Sequence, residues 1–512
     1  MATEGYFKSC TARGLILLVL TVGALLVLCW SRGWLVLPGR VAVASVPANS
    51  SVVIVNVTAQ SYEQLRPWIK RPPFGQRAVA PVLDGNRVLV TAELVANATF
   101  IELEKADHSR KSPATLEAVD YEANLAVLKC SENDFFSDIQ PLSLTPDTKT
   151  GSSVSVWQLE HNGTLAVTDG VINNVDVSRY PEENTRLLVY RMSIPLQLRE
   201  NSPMLPVVRN GRLAGLLMRY DSRSQGAVVV PEPVISHFLK DAAVGSYRGF
   251  PRAGLGFSFL RDPQLQHYLK LPADSPGIYI SRVLHDGPGD KAGLKQGDVL
   301  TDIDGLTIDH EGNYQDGLYG KVSLEHLINT RHYAGDKLTL KVLRDGVPLS
   351  LQMVLDHKSA DDYTIPPYQY DRQPRYLVVG SLVFVELSRQ ILREFGPDWG
   401  NTAPQKLVYK DAFQDELYPG GKQRVVMISE VLPADSSLGY ESLGGSVITA
   451  FNSVPVRRLE DIEQAAAKPL NGFHEIRLED NPRVIYLDPA QIALEQPKLQ
   501  TQYRLQVLKN LN

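Results

Sequence analysis

Two segments of this chain run through the same order of elements, and that repeat limits the fold more than any other feature of the sequence. The first, "GIYISRVLHDGPGDKAGLKQGDVLTDIDGLTI", and the second, "RVVMISEVLPADSSLGYESLGGSVITAFNSVPV", both read strand, I-S-x-V-L, small-residue turn, then G-x-V-(L/I)-T-x-(I/F)-(D/N). Each is followed by a helical stretch, "SLEHLINTRHY" or "RLEDIEQAAA". A hairpin closes each, "DKLTLKVLRDGVPLSLQMVL" or "FHEIRLED…RVIYLD". Shared element order at a fixed spacing is the signature of one fold used twice. Each unit mixes strands with one helix and is expected to be a small α+β domain.

Upstream of the repeat the pattern changes. "SVVIVNV", "RVLVTAELV", "NLAVLKC", "SSVSVWQL", "LAVTDGVI", "TRLLVYRM" and "GAVVV" are short β-branched runs separated by turn residues. Many short strands without intervening amphipathic helices point to an all-β sandwich or a pair of barrels. "PEPVISHFLKDA" reads as a closing helix with Pro231 and Pro233 at its start. The expected boundaries are a short tail 1–13, an anchor 14–36, a linker 37–50, a β-rich unit 51–245 and a first repeat unit 250–358. A Pro- and Tyr-rich linker 359–375, expected as a spacer, then leads to the second repeat unit 376–490 and a C-terminal tail 491–512.

The N-terminal run Gly14 to Trp30 contains no charge and is long enough to cross a hydrocarbon core of about 30 Å. Trp30 and Trp34 suit the interface. The competing reading is a signal peptide cleaved near Ala42 and Ala44, but that site lies far beyond the apolar run, so an uncleaved single-pass anchor is expected. Lys8 and Arg13 precede the run and Arg32 and Arg40 follow it, which leaves the charge rule balanced. The long C-terminal side is expected to be exported, into a periplasm or an equivalent compartment. A net charge of −5 gives no electrostatic reason to expect nucleic acid. Two of the three cysteines, Cys10 and Cys29, lie in the leader, so the body holds only Cys130 and no internal disulfide. The sequons at Asn49, Asn56, Asn97 and Asn162 would matter only in a glycosylating pathway.

"AGLKQGDVLTDIDGLTI" resembles PDZ domains of the bacterial and organellar protease type. "GLGF", Gly254, Leu255, Gly256 and Phe257, matches the carboxylate-binding loop of that family. Its backbone N–H groups are suited to nest a terminal carboxylate, and the strand reaching Phe259 to accept a peptide as an added strand. The resemblance places the other wall of the groove on a helix at Ser323 to Arg331, with Leu324, Leu327 and Ile328 lining an apolar pocket. The second repeat unit keeps one loop glycine, Gly380, and carries an insertion up to about Lys422. It is expected to serve internal docking or assembly more than free peptides.

A β-rich domain followed by PDZ domains is similar to the HtrA/Deg (protease Do-like) family, and the resemblance covers nearly all of the chain beyond residue 50. It implies a chymotrypsin/trypsin-like double β-barrel followed by two PDZ-like α+β domains. "RVLVTAELVANA" resembles the stretch that carries that family's catalytic histidine, and Leu94 stands at the histidine position. "EANLAVLKC" resembles the aspartate stretch, with Asn124 at the aspartate position. "RENSPMLPVVRNGRLAGL" resembles the serine stretch, with Ser202 as the nucleophile position. "RPWIK" around Trp68, "LVFVEL" and "GYES" resemble the two-PDZ branch of plant organelles.

A serine needs a base to take its proton and a third group to hold that base in the right tautomer. Leu94 cannot accept a proton, and Asn124 brings no charge to stabilise an imidazolium. Glu200 replaces the glycine two positions before Ser202 and adds a negative charge to the loop that should stabilise an oxyanion. Pro203 and Met204 replace the glycines after it. His108, His161 and His237 are expected to be solvated or core histidines. No H-E-x-x-H, C-x-x-C pair or phosphate loop offers another chemistry, and neither cofactor nor metal is expected.

The expected function is therefore a membrane-tethered pseudoprotease that binds C-termini or unfolded segments of exported proteins through its PDZ units. It would work within a homo-trimer or a mixed assembly with an active relative. A residual serine peptidase at Ser202 and a purely structural scaffold are the competing readings.

Overall fold

In the computed structural model the described residues are 51–160, 162–182, 185–197, 204–272, 275–421 and 423–512. The expected anchor at 14–36 lies outside them. Among the described residues no helix is long and apolar enough to cross a membrane.

Strands β1 (Val52–Ala59), β2 (Phe74–Leu83), β3 (Arg87–Val90), β4 (Ala98–Lys105), β5 (Lys111–Asp120) and β6 (Leu125–Cys130) close a first barrel in the order β1-β2-β3-β6-β5-β4. A second barrel is made by β7 (Ser153–Leu159), β8 (Leu165–Arg179), β9 (Arg186–Ser193), β10 (Pro206–Arg209), β11 (Arg212–Asp221) and β12 (Gly226–Pro231), in the order β10-β11-β12-β9-β8-β7. Closure removes the free edges that strands so rich in valine and leucine would otherwise expose. The closing helix is Glu232–Ala242; it buries Val234, Ile235, His237 and Phe238, while Pro233 sits in its first turn, where a missing N–H costs nothing.

The first PDZ unit follows as an antiparallel sheet in the order Leu255–Ser258, Ile278–Val283, Val299–Ile303, Lys337–Arg344, Val347–Val354, with the helix Leu324–Asn329 beside it. One apolar core runs through both barrels and this unit. The second PDZ unit has its own apolar clusters and two four-stranded sheets. Its insertion folds into short helices, Arg389–Arg393, Trp399–Thr402, Gln405–Ala412 and Gln414–Leu417.

Two segments do more than the sequence suggested. Residues 359–375 are not a loose spacer: the Tyr368 and Tyr370 rings pack on Tyr121 of the first barrel at 5.5 and 4.5 Å. Asp371 and Asn97 exchange side chain-to-backbone hydrogen bonds of 2.7 and 3.0 Å. Residues 491–512 are not a free tail either. The helix Pro489–Tyr503 accepts the Trp68 indole N–H on the Tyr503 carbonyl at 3.0 Å, and Lys509–Asn510 pairs with the strand Tyr376–Val379.

Candidate functional site

The four-residue helix Ala92–Val95 follows β3, and Leu94 points from it into the core with 1% of its surface exposed. Asn124 ends the turn before β6 with φ of 54°, a left-handed conformation that asparagine tolerates better than most residues. Its Oδ1 accepts the Glu93 N–H at 2.9 Å, so the positions matched to histidine and aspartate meet in space. Its Nδ2 is buried and has no acceptor among the described residues. Ser202 and Glu200 lie outside the described residues. Met204, two residues after the serine, is fully buried against the same helix. Its sulfur lies 3.1 Å from the Thr91 backbone nitrogen and 3.6 Å from the Thr91 hydroxyl. A thioether thus packs on Thr91 and an isobutyl group is buried on the helix that follows it, and neither can carry a proton.

The histidines are engaged elsewhere. His108 Nδ1 contacts the Glu104 carboxylate. His237 is stacked between Phe250 and Tyr333 at 4.3 and 4.1 Å, with Nε2 2.9 Å from the His332 carbonyl, and burial holds its pKa below the usual imidazole value. His161 lies outside the described residues. Among the described residues only His285, Asp286 and Asp290 have metal-ligand spacing; all are exposed and interact with one another at 3.5 to 3.6 Å.

The second site is the groove of the first PDZ unit. Gly254 adopts a φ of 64°, and a Cβ there would lie 3.1 Å from Pro288 Cδ, so the loop needs glycine for both conformation and space. The strand Leu255–Ser258 pairs with Ile278–Val283 on one side only, which leaves its other edge available to a peptide. That edge faces a cavity of about 590 Å³ lined by Gly254, Leu255, Phe257, Leu324 and Ile328. Five of the residues expected at the groove are therefore gathered at one place. Gly256 and Leu327 are not on the lining; Leu327 turns into the core. Phe259 is also off the lining, 55% exposed beneath the Arg261 guanidinium. The outer side of the helix Leu324–Asn329 docks on β9, through Asn329 Nδ2 to the Arg186 carbonyl at 2.7 Å and an Arg186–Glu325 pair at 3.3 Å.

Residues remote in sequence complete the cavity. Arg282 and Lys358 of the first unit and Asp415 and Tyr418 of the second unit's insertion also line it. Behind the groove, Glu122 in the turn that carries Asn124 is buried against Arg252 at 3.0 Å and His357 at 3.8 Å. Burial opposes the charge of Glu122, but Arg252 and His357 outweigh it and lower its pKa. Asp120 on the same turn is driven upward by burial and by Glu122, although the Tyr247 hydroxyl donates to it. Arg252 also donates to the Tyr363 hydroxyl at 2.6 Å and to Thr185 Oγ1 at 2.9 Å. The turn that carries Asn124 is thereby fixed to both the first PDZ unit and the strap 359–375. Local motifs gave no signal of this cluster, because its members come from four separate segments.

The second PDZ unit has no equivalent open edge. Its strand Leu382–Glu386 pairs with Val426–Val431 on one side and with Tyr376–Val379 on the other. Leu377 from that extra strand joins Leu459 and Ile462 of the helix Leu459–Ala466 in one cluster. The chain itself lies where a peptide would.

PDZ-domain family models match residues 253–355 and 365–508. Protease Do-like 2, chloroplastic, of Arabidopsis thaliana is 26% identical over 84% of this chain and 70% of that protein. Protease Do-like 4, mitochondrial, of Arabidopsis thaliana is 23% identical over 86% of this chain and 81% of its own length. Among solved structures, an HtrA-type protease AlgW with decapeptide superposes with a TM-score of 0.46 and 20% identity, covering 61% of this chain and 97% of that one.

Proposed function

Because the chain is a member of the HtrA/Deg (protease Do-like) family, a trypsin-like domain followed by two PDZ domains, we propose that it is a proteolytically inert adaptor that captures C-terminal or unfolded segments. The observation that carries this reading is Leu94. It holds the position from which an imidazole would take the serine proton, is sealed in the core, and is flanked by Asn124 bound to a backbone N–H and by the buried Met204. A nucleophile without a base has no route to the acyl-enzyme.

The retained capacity is recognition. In the first PDZ unit a glycine loop, an unpaired strand edge and an apolar pocket occur together. This combination suits a free carboxylate followed by an apolar last side chain. In this reading the N-terminal apolar run holds the adaptor at a membrane with the bulk of the chain exported, alone as a trimer or beside an active relative.

Labelling with a fluorophosphonate probe and turnover of casein test the inert cleft. The expected result is no labelling and no turnover, the same in the natural chain and in Ser202→Ala. Labelling that disappears in Ser202→Ala would replace this reading with a serine endopeptidase that uses a base other than residue 94.

A further inference from the structure

The cavity in front of the strand Leu255–Ser258 is closed on its far side by the second PDZ unit, through Gln414, Asp415, Tyr418 and Gly420 of the helical insertion. The insertion is stiff in itself. Arg389 and Asp411 form a buried bidentate pair with an N–O distance of 2.9 Å, and Gln414 exchanges hydrogen bonds with Ile365. Its hold on the first unit is of another kind. Among the described residues the apolar cluster of the first unit and those of the second are separate, with no shared core across the cavity.

Two ion pairs span that junction. Arg282 Nη1 lies 2.8 Å from Glu416 Oε1, and Lys358 Nζ lies 3.1 Å from Asp415 Oδ1. Arg282 is placed directly opposite Gly256 in the sheet, and Lys358 follows the last strand of the same unit. Asp415 and Glu416 share the single helical turn Gln414–Leu417. The insertion is anchored to the second barrel by Arg393–Glu182 at 3.0 Å, but toward the first unit its last helical turn is held by one exposed and one half-buried ion pair. Such pairs are weak individually and salt-sensitive, which suits that turn to opening.

We propose that the insertion of the second PDZ unit is a gate on the groove of the first, latched by Arg282–Glu416 and Lys358–Asp415. A C-terminal segment with an apolar last residue enters as the latch opens. The inference rests on the first unit being a peptide site, and it assigns to the second unit the control of that site. The closed state is only slightly favoured, since one exposed and one half-buried pair shift such an equilibrium by a small factor.

The test uses the full chain and a fluorescein-labelled heptapeptide selected on it from a library ending in Val, Leu, Ile or Phe, with the C-terminally amidated peptide as control. Reversing the latch acids, Asp415→Lys with Glu416→Arg, is expected to raise affinity about three- to tenfold, chiefly through the association rate. Exchanging the latch acids for their amides, Asp415→Asn with Glu416→Gln, should raise affinity in the same direction by a smaller factor. Thermal unfolding of each variant guards against misfolding. Unchanged or weaker binding in both variants overturns the gate and leaves the peptide site standing. If no peptide binds the natural chain or the reversed variant in a carboxylate-dependent way, the peptide reading itself fails.

Discussion

The two PDZ units share an order of elements and differ in what lies along one strand. In the first, Leu255–Ser258 has a single neighbour and faces a cavity. In the second, the corresponding strand Leu382–Glu386 has two neighbours, and the extra one, Tyr376–Val379, is itself capped by Lys509–Asn510 near the C-terminus. An open strand edge is a place to bind and also a liability, because it pairs with any suitable chain. At this strand the first unit leaves its edge open, beside the insertion that walls its cavity, and the second fills it with its own backbone. A duplicated fold thus has one unit with that strand edge open and one with it filled.

The comparison breaks first, and with the largest effect, at Leu377. This side chain is 5% exposed and joins the self-strand to the helix Leu459–Ala466. Leu377→Ala should cost about 2–4 kcal/mol, read as a lower midpoint for urea unfolding of the second unit. Peptide binding to the first unit should survive. A cost below about 0.5 kcal/mol would mean that the strand is loosely held and that the second groove is accessible after all.

Matched substitutions at the loop glycines give the next effect. Gly254 and Gly380 have φ of 64° and 61°, and a Cβ would meet Pro288 Cδ at 3.1 Å in the first unit and Ile492 Cγ1 at 2.8 Å in the second. Alanine at either should cost about 1–2 kcal/mol from the left-handed backbone alone. Gly254→Ala should also weaken binding of a free C-terminal peptide by about tenfold or more, whereas Gly380→Ala should leave it within about twofold. Equal losses of binding in both would erase the distinction between the units.

How far the sequence foretold this division depends on the range of the interactions involved. The element order of both units and the closing helix were legible because each rests on a short pattern: an alternation, a turn or a motif. The Asn124 contact with the Glu93 N–H was not, because it joins segments 31 residues apart. The self-strand was not. Tyr376–Val379 reads as a strand, but alternation reports which face is buried and never which neighbour it pairs with. The same holds for Lys509–Asn510, which are too short to carry any period. Tyr368 and Tyr370 read as linker residues because their partner, Tyr121, lies far upstream. Leu327 was placed on the groove by the resemblance, yet a helix of six residues offers too few positions to separate a lining face from a core face without the packing itself. Met204 was legible as the loss of a glycine. Its packing against Thr91 was not, because the two come from different barrels.

The smallest effect separates the units by the chemistry of their attachment to the barrels. The second unit is tied by arginine–carboxylate pairs, Arg393 to Glu182 at 3.0 Å and Arg66 to Glu430, with no histidine between them. The first is tied through Glu122, shared by Arg252 and by His357 at 3.8 Å. The groups facing His357 are thus Glu122, Asp120 and Arg252. Burial lowers its pKa, but Glu122 and Asp120 outweigh that and raise it above the ordinary 6.5. A histidine raised in the folded state contributes stability that is fully present below its unfolded pKa and is lost as pH rises through the folded value. At the acid end the limit is Glu122, whose pKa is lowered by Arg252 and His357 against burial, so its contribution is lost as pH falls through that lowered value. His357→Gln should therefore lower the urea midpoint at pH 6 and approach the natural chain at pH 9, a difference below about 1 kcal/mol for a ring that is partly open to solvent. Hydrogen exchange should place the pH-dependent loosening in the junction of the first unit and leave that of the second unchanged. A pH-independent difference, or one of the opposite sign, would show that His357 acts there only as a packed ring and that both units are attached by the same kind of contact.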